Sequence, residues 1–317
     1  MCKGGYVPYP IERKLVIAVS SSALFDLSES HSVFVDKGAK AYKEYQESHL
    51  NEVLKKGVAF PFIKRFLNIN NHFKKQEPVE VVLLSRNSAA TGKRVFRSIQ
   101  HYGLNITRAA FMEGKSPFEY VPAFNASLFL SANEEDVRKA IDAGYPAGVV
   151  LPSESINDDG GDELRVAFDF DGVIADDESE SVFKKDGKLD DFHAYEVANS
   201  HIPHQPGPLA DLFQKLSFMQ KLEDKEVEKN INYQRILRIS IVTARNAPSH
   251  ERVITTLEHW GVEANETFFL GGMEKDRILS RLKPHMFFDD QRSHLKSSAG
   301  DIPMVHIPFG IANSSDG

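Results

Sequence analysis

The chain has 317 residues, 41% hydrophobic and 26% charged, ordinary for a globular protein with room for more than one core. Its net charge of −7 argues against a general nucleic-acid-binding surface. The single cysteine, Cys2, excludes a disulfide scaffold and a cysteine-based structural zinc site.

In chain order, the strand candidates are short continuous apolar runs at 15–19, 79–84, 127–130, 147–151, 164–168, 237–242, 267–270, 285–288 and 304–307. Continuous runs are expected of strands buried on both faces. Amphipathic helical patterns lie between them, at 89–102, 133–143 and 248–260. This alternation predicts an α/β fold, a parallel sheet with helices on both faces. Lys3, Arg13 and Lys14 ahead of Leu15–Val19 loosely resemble a signal peptide. Five apolar residues fall short of the usual run of about seven to fifteen, so a buried strand is the better reading. No apolar run approaches the roughly 20 residues that span a bilayer, and a cytoplasmic protein without membrane partners is expected.

Residues 53–76 carry six Lys/Arg and no Asp/Glu, interleaved with Phe60, Phe62, Phe66 and Phe73. A solvated basic face backed by an apolar one is the main reading; a nucleic-acid surface, a nucleotide pocket or a subunit contact are the others. Residues 152–163 hold five acidic residues and two glycines and read as a linker. They divide the chain into residues 1–151 and 164–317.

The two parts resemble each other. At an offset of 149, Leu15–Gly38 and Leu164–Gly187 share eight of 24 residues, among them Glu29/Glu178, Ser30/Ser179 and Phe34/Phe183. At an offset of 158 to 159, Arg86-Asn87 pairs with Arg245-Asn246, Arg94-Val95 with Arg252-Val253, and His101-Tyr102-Gly103 with His259-Trp260-Gly261. Matches in one order at nearly constant offsets point to an internal duplication, and the long period excludes a solenoid.

The chemistry lies in the second part. Asp169-Phe170-Asp171-Gly172 follows the run 164–168, placing two carboxylates where parallel sheets bind ligands, with a glycine for the sharp turn. Thr243 ends the run 237–242, where a hydroxyl and the first N–H groups of a following helix would suit a phosphate. Lys275 follows 267–270, and Asp289-Asp290 follow 285–288. The paired aspartates alone favour function over an acidic turn, and each of the others has a bland reading as a strand-end Thr, a solvated Lys or an acidic loop. Four polar groups at four strand ends are hard to explain as solvation.

In this order, DxDG, a strand-end Ser/Thr, Lys and DD, the residues resemble the haloacid dehalogenase superfamily of phosphohydrolases. The stretches 165–180, Val242 to Val253, Phe268 to Gly272 and Pro284 to Gln291 narrow this to the cytosolic type I 5′-nucleotidases. So do Ser85 to Ser88, Thr91-Gly92 and Ser131 to Val137 in the first part. The chain departs from the animal members at Phe170 and Gly172, where they carry Gly and Ala. The resemblance implies a Rossmann-like fold present twice. The first copy would be degenerate: Asp169 and Asp171 fall on Ser20 and Ser22, Thr243 on Leu84, Lys275 on Pro117, and Asp289-Asp290 on Ser131-Ala132.

The resemblance further implies Asp169 as nucleophile, Asp171 as acid and base, and Thr243, Ala244 and Lys275 as the phosphate cradle. It implies Mg²⁺ held by Asp169, Asp171 and Asp289, with Asp290 nearby. The substrate would be a nucleoside 5′-monophosphate such as AMP or IMP. A sugar-phosphate phosphatase and a non-catalytic nucleotide-binding regulator remain the alternatives, and a homo-oligomer is possible. Residues 177–236 are too long for a simple loop and read as a small cap. Within them Phe192 and Tyr195 either stack on a base or pack in a core. His193, His201 and His204 match no common metal-ligand spacing. Arg245 reads either as a structural residue of its turn or as a substrate contact.

Overall fold

The computed structural model describes residues 10–153, 160–179, 181, 189–295 and 302–313. The expected strands form as β1 (Leu15–Val19), β4 (Val79–Ser85), β6 (Ala126–Ser131), β7 (Ala147–Val150), β8 (Leu164–Phe168), β9 (Leu237–Thr243), β10 (Glu266–Phe269), β11 (Met286–Asp289) and β12 (Met304–His306). Every residue of β1 and β4 is buried, as their continuous apolar runs require. The expected helices form at Gly92–His101, Glu134–Asp142 and His250–Trp260. Asn133 starts the second by accepting the Asp136 N–H at 2.9 Å. Gly261, with φ 63°, ends the third.

Three strands escaped the sequence reading. β5 (Arg108–Phe111) is a half-buried edge strand, so it lacks the continuous apolar signature. β2 (Phe25–Asp26) and β3 (Lys55–Lys56) form a two-residue antiparallel ladder too short to carry a pattern.

The main sheet has ten strands in the order β10-β9-β8-β11-β12-β7-β6-β1-β4-β5. All its neighbours are parallel except β12 and β7, which meet antiparallel through Val305–Val150 and His306–Val149. Outward from that seam the order is β6, β1, β4, β5 on one side and β11, β8, β9, β10 on the other. The expected linker thus separates two halves of one sheet, and residues 154–159 of it lie outside the described residues.

Helices cross the seam in both directions. The helix Phe60–His72 comes from the basic, Phe-rich stretch, and its Phe62 meets Phe288 of β11 edge-on at 6.4 Å. Phe288 stacks on Phe168 of β8 at 5.0 Å. The helix Ala210–Lys229 returns the contact: Phe213 packs on Phe168, and Lys215 donates to Ser127 Oγ of β6 at 2.9 Å. One apolar cluster therefore holds Ile17, Leu83 and Phe66 together with Phe168, Ile239 and Phe288. This corrects the expected cap. From Ala210 onward the insert is a core helix burying Leu212, Phe213, Leu216 and Met219. The helix Leu189–Ala198 lies beside the strand tips, where His193 reaches Asn246. Phe183, also expected in the cap, lies outside the described residues.

Gly148 of β7 lets the seam close, because a Cβ there would sit 2.3 Å from Val305 Cγ1 and 2.9 Å from Ile307 Cδ1. Gly148→Ala should destabilise the chain by about 1–3 kcal/mol, the usual cost of overpacking. Because the halves share a core, denaturant should melt strand and helix signals of both in one transition at lower concentration. Unchanged stability would contradict the packing described.

Candidate active site

The loop after β8 is anchored by its apolar side chains. Phe170, Val173 and Ile174 are fully buried, which fixes the turn and spaces Asp169 from Asp171. The Asp169 N–H bonds Phe288 O at 2.8 Å, so the ladder with β11 runs one residue past the strand. Asp169 Oδ1 then accepts the Phe170 N–H at 2.7 Å. Gly172 sits at φ 68°, and a Cβ on it would lie 2.6 Å from Asp290 Oδ2. Glycine is needed there for both backbone and space.

β9 delivers Thr243, and three backbone bonds staple its loop to the loop after β10. Leu270, Gly272 and Gly271 donate to the carbonyls of Thr243, Ala244 and Arg245. The stapled loop carries Lys275 back to the strand tips. Its Nζ lies 2.6 Å from Asp169 Oδ2 and 2.7 Å from Asp289 Oδ2. Thr243 Oγ1 accepts the Arg245 N–H at 3.3 Å, which leaves its own O–H to donate to an anion. The helix after Thr243 begins at His250, as its pattern over 248–260 predicts, so N–H groups beside Thr243 belong to the intervening loop and not to the helix start expected to suit a phosphate. Ala244 lies exposed in that loop.

Burial sets the electrostatics. It pushes the Asp169 carboxyl up to about 7; Lys275 opposes the shift, and Asp289 and Asp171 add to it. Burial works against the Asp289 charge as well, but Lys275 and His294 outweigh it and hold that carboxyl below its ordinary range. Lys275 is raised because its two carboxylates outweigh its own desolvation. His294, unmentioned by any motif, stands 3.2 Å from both oxygens of Asp289. Ligand atoms of Asp169, Asp289 and His294 lie within 4.8 Å of one another and could hold a metal.

Asp171 faces elsewhere. Arg245 grips both its oxygens, Nε to Oδ2 at 2.8 Å and Nη2 to Oδ1 at 2.6 Å. Arg245 is 4% exposed, lies over the rings of Phe170 and Phe192, and also bonds Glu196 and the Ser249 carbonyl. Tyr195 donates to Glu178 and flanks Arg252. Arg252 in turn bonds Glu178 at 3.0 Å and Glu196 at 3.1 Å. Asp176, Glu178 and His204 also cluster at metal-ligand spacing. There Arg252 holds Glu178, and Arg245 Nη2 stands 3.2 Å from His204 Nε2, so the protein's own cations serve that cluster. Glu196 carries no sequence signature, and the repeat matches at Glu178 and Arg252 do not reveal their pairing, because their partners are distant in the chain.

The strand ends also correct the pairing of the halves. Met112 N–H bonds Ser85 O as Leu270 N–H bonds Thr243 O, and Asn87 O takes Glu113 N–H as Arg245 O takes Gly271 N–H. Thr243 therefore corresponds to Ser85, not Leu84, and Arg245 to Asn87, not Arg86. Matching the shared Arg-Asn pair had shifted the register by one residue. A hydroxyl does survive at the first half's β4 tip, where Ser85 Oγ bonds Ser21 Oγ at 2.8 Å.

Among the described residues, no helix is long and apolar enough to cross a membrane. No solved structure matches the chain. Human cytosolic 5′-nucleotidase 1B is 35% identical over 303 residues, 94% of this chain and 49% of that protein, so the chain spans about half the length of this relative. A family model described as 5′-nucleotidase matches residues 7–314. With that match over nearly its whole length, the chain belongs to the 5′-nucleotidase family.

Proposed function

We propose that this chain is a cytoplasmic, Mg²⁺-dependent 5′-nucleotidase that hydrolyses AMP- or IMP-like nucleoside 5′-monophosphates to nucleoside and phosphate. The observation that carries this reading is Lys275 bridging Asp169 and Asp289 beside Thr243, at the tips of adjacent parallel strands. Family membership supplies the reaction class, and the name of the human relative favours the cytosol. The matching strand order on the two sides of the seam supports reading the halves as two copies of one fold, only the second of which keeps the carboxylates.

In this mechanism a carboxylate oxygen of Asp169 attacks phosphorus as the bond to the nucleoside 5′-oxygen breaks, giving an aspartyl-phosphate. Asp171 gives its proton to the leaving oxygen, then takes one from the water that hydrolyses the intermediate. Thr243 donates to a phosphate oxygen, and Lys275 opposes the protonation that burial favours at Asp169 and offsets charge in the transition state. The hard carboxylate oxygens of Asp169 and Asp289 fit Mg²⁺ and would hold it together with the Asp171 carbonyl, with Asp290 nearby. When bound, the cation supplies the positive charge that a phosphate dianion among these carboxylates requires.

Asp169→Asn should fold normally, yet release phosphate from AMP or IMP about a thousandfold or more slowly. EDTA should abolish wild-type turnover. Good turnover of sugar phosphates with none of any nucleotide would sink the substrate assignment. A second outcome follows from burial pushing Asp169 up to about 7. Below that pH the carboxyl holds a proton that a cation must displace, so apparent Mg²⁺ affinity should fall as pH drops from 8 to 5.5. Affinity independent of pH would contradict the ligand set.

A further inference from the structure

We infer that Arg245 and Glu196 form a positioning relay for Asp171, tying the acid–base carboxylate to the helix Leu189–Ala198 beside the strand tips. The inference rests on the reading of Asp171 as acid and base given above. Arg245 is a fork with both tines engaged: Nε and Nη2 on Asp171, Nη1 on Glu196. Glu196 is itself 1% exposed and anchored by Ser179 Oγ at 2.6 Å and Arg252 Nη1 at 3.1 Å. A bidentate, desolvated pair of this kind fixes direction as well as charge.

A buried ion-pair network could simply be part of the scaffold. The first half of the chain separates the two possibilities, because it builds the same contacts around Arg94 without counterparts of the Asp171, Arg245 and Glu196 charges. Arg252 donates from Nε to Ile202 O at 2.8 Å and lies over Tyr195 at 5.7 Å. Arg94 donates from Nε to Glu52 O at 2.9 Å and lies over Tyr45 at 6.0 Å. The His204 N–H bonds Thr256 Oγ1 at 3.0 Å, and the Leu54 N–H bonds Ser98 Oγ at 3.0 Å. Arg252 Nη1 reaches Glu196, whereas Arg94 Nη1 reaches Gln46 Oε1 at 3.4 Å.

So the scaffold contacts recur, and a specific subset of residues differs. Where the second half has Asp171, Arg245, Glu196 and His204, the first has Ser22, Asn87, Gln46 and Leu54. Asn87 even keeps the aromatic neighbour: it accepts from Tyr42 OH at 3.1 Å, where Arg245 lies over Phe192. The backbone closes in the same way around Arg94 with neutral side chains at these four positions. Arg245 and Glu196 are therefore present where the acid–base carboxylate is present, and absent where it is Ser22. This reassigns Arg245 from substrate contact to positioning residue.

The relay acts on bond cleavage. The fork holds both oxygens of Asp171, the ionised state left once its proton has gone to the leaving 5′-oxygen; it stabilises that carboxylate as the bond breaks and fixes its direction until it takes a proton from the attacking water. A substrate whose leaving group is stable as an anion needs little of this help. The test compares AMP with p-nitrophenyl phosphate, using the full chain with saturating Mg²⁺, for Arg245→Asn, Glu196→Gln and the double variant. These are the residues of the first half.

With AMP, kcat should fall about a hundredfold to a thousandfold, in the range of general acid–base effects, with KM changing only a few-fold. With p-nitrophenyl phosphate the loss should stay under about tenfold, and Arg245→Lys should restore only part of the AMP rate. Equal losses on both substrates, no loss, or a double variant that fails to fold would each overturn the relay. Asp171→Asn, run alongside, keeps the two levels apart. If it shows no leaving-group dependence, the acid–base reading fails; if it does and Arg245→Asn does not, only the relay fails.

Discussion

The buried lysine between Asp169 and Asp289 is the constraint on which the second half is built. Both carboxylates are at most 4% exposed, and Asp290 beside them is equally enclosed. Like charges this close in a poorly solvated pocket repel strongly, so a cation must enter the group. Lys275 does so only because the loop after β10 is stapled to the loop after β9, and β9 lies beside β8. Strand order, loop stapling and the left-handed turn at Gly172 all converge on that one charge balance. Lys275 offsets only part of the negative charge of this carboxylate cluster.

The same constraint explains what the first half is free to omit. With Ser20, Ser22 and Ser131 in place of the carboxylates there is, among the described residues, no cluster of like charges to balance: the one buried carboxylate past these strands, Asp136, is met by Arg86, and hydroxyls satisfy one another, as Ser21 and Ser85 do. It remains indispensable for another reason. Phe62 and Phe66 fill the core beneath β8 and β11, and the helix Ala210–Lys229 packs back on β1 and β6. On this face the two halves share one core, while on the other each keeps a cluster of its own, and the antiparallel β7–β12 seam makes one sheet of both.

Much of this was legible in the sequence, because strands buried on both faces announce themselves as short apolar runs. Residues just past such runs must stand at strand tips, so Asp169, Thr243 and Asp289 could be placed together before any coordinates. The edge strand β5 was lost because half-burial erases the run. The helix Ala210–Lys229 was taken for part of a cap because its apolar face does not say what it packs against. The one-residue slip between Arg245 and Asn87 arose because identical letters outweighed a backbone register that only hydrogen bonds define.

The chain by itself determined most of its strands and the order of the polar groups at their tips, since each of these is a property of a short window of residues. Tertiary structure alone decided how the charges pair. Asp171 meets Arg245 across 74 residues and Arg245 meets Glu196 across 49, through loops whose relative placement depends on the packing of the whole sheet. Ionic partners are chosen by proximity in space, and proximity at such separations is not encoded in any local pattern.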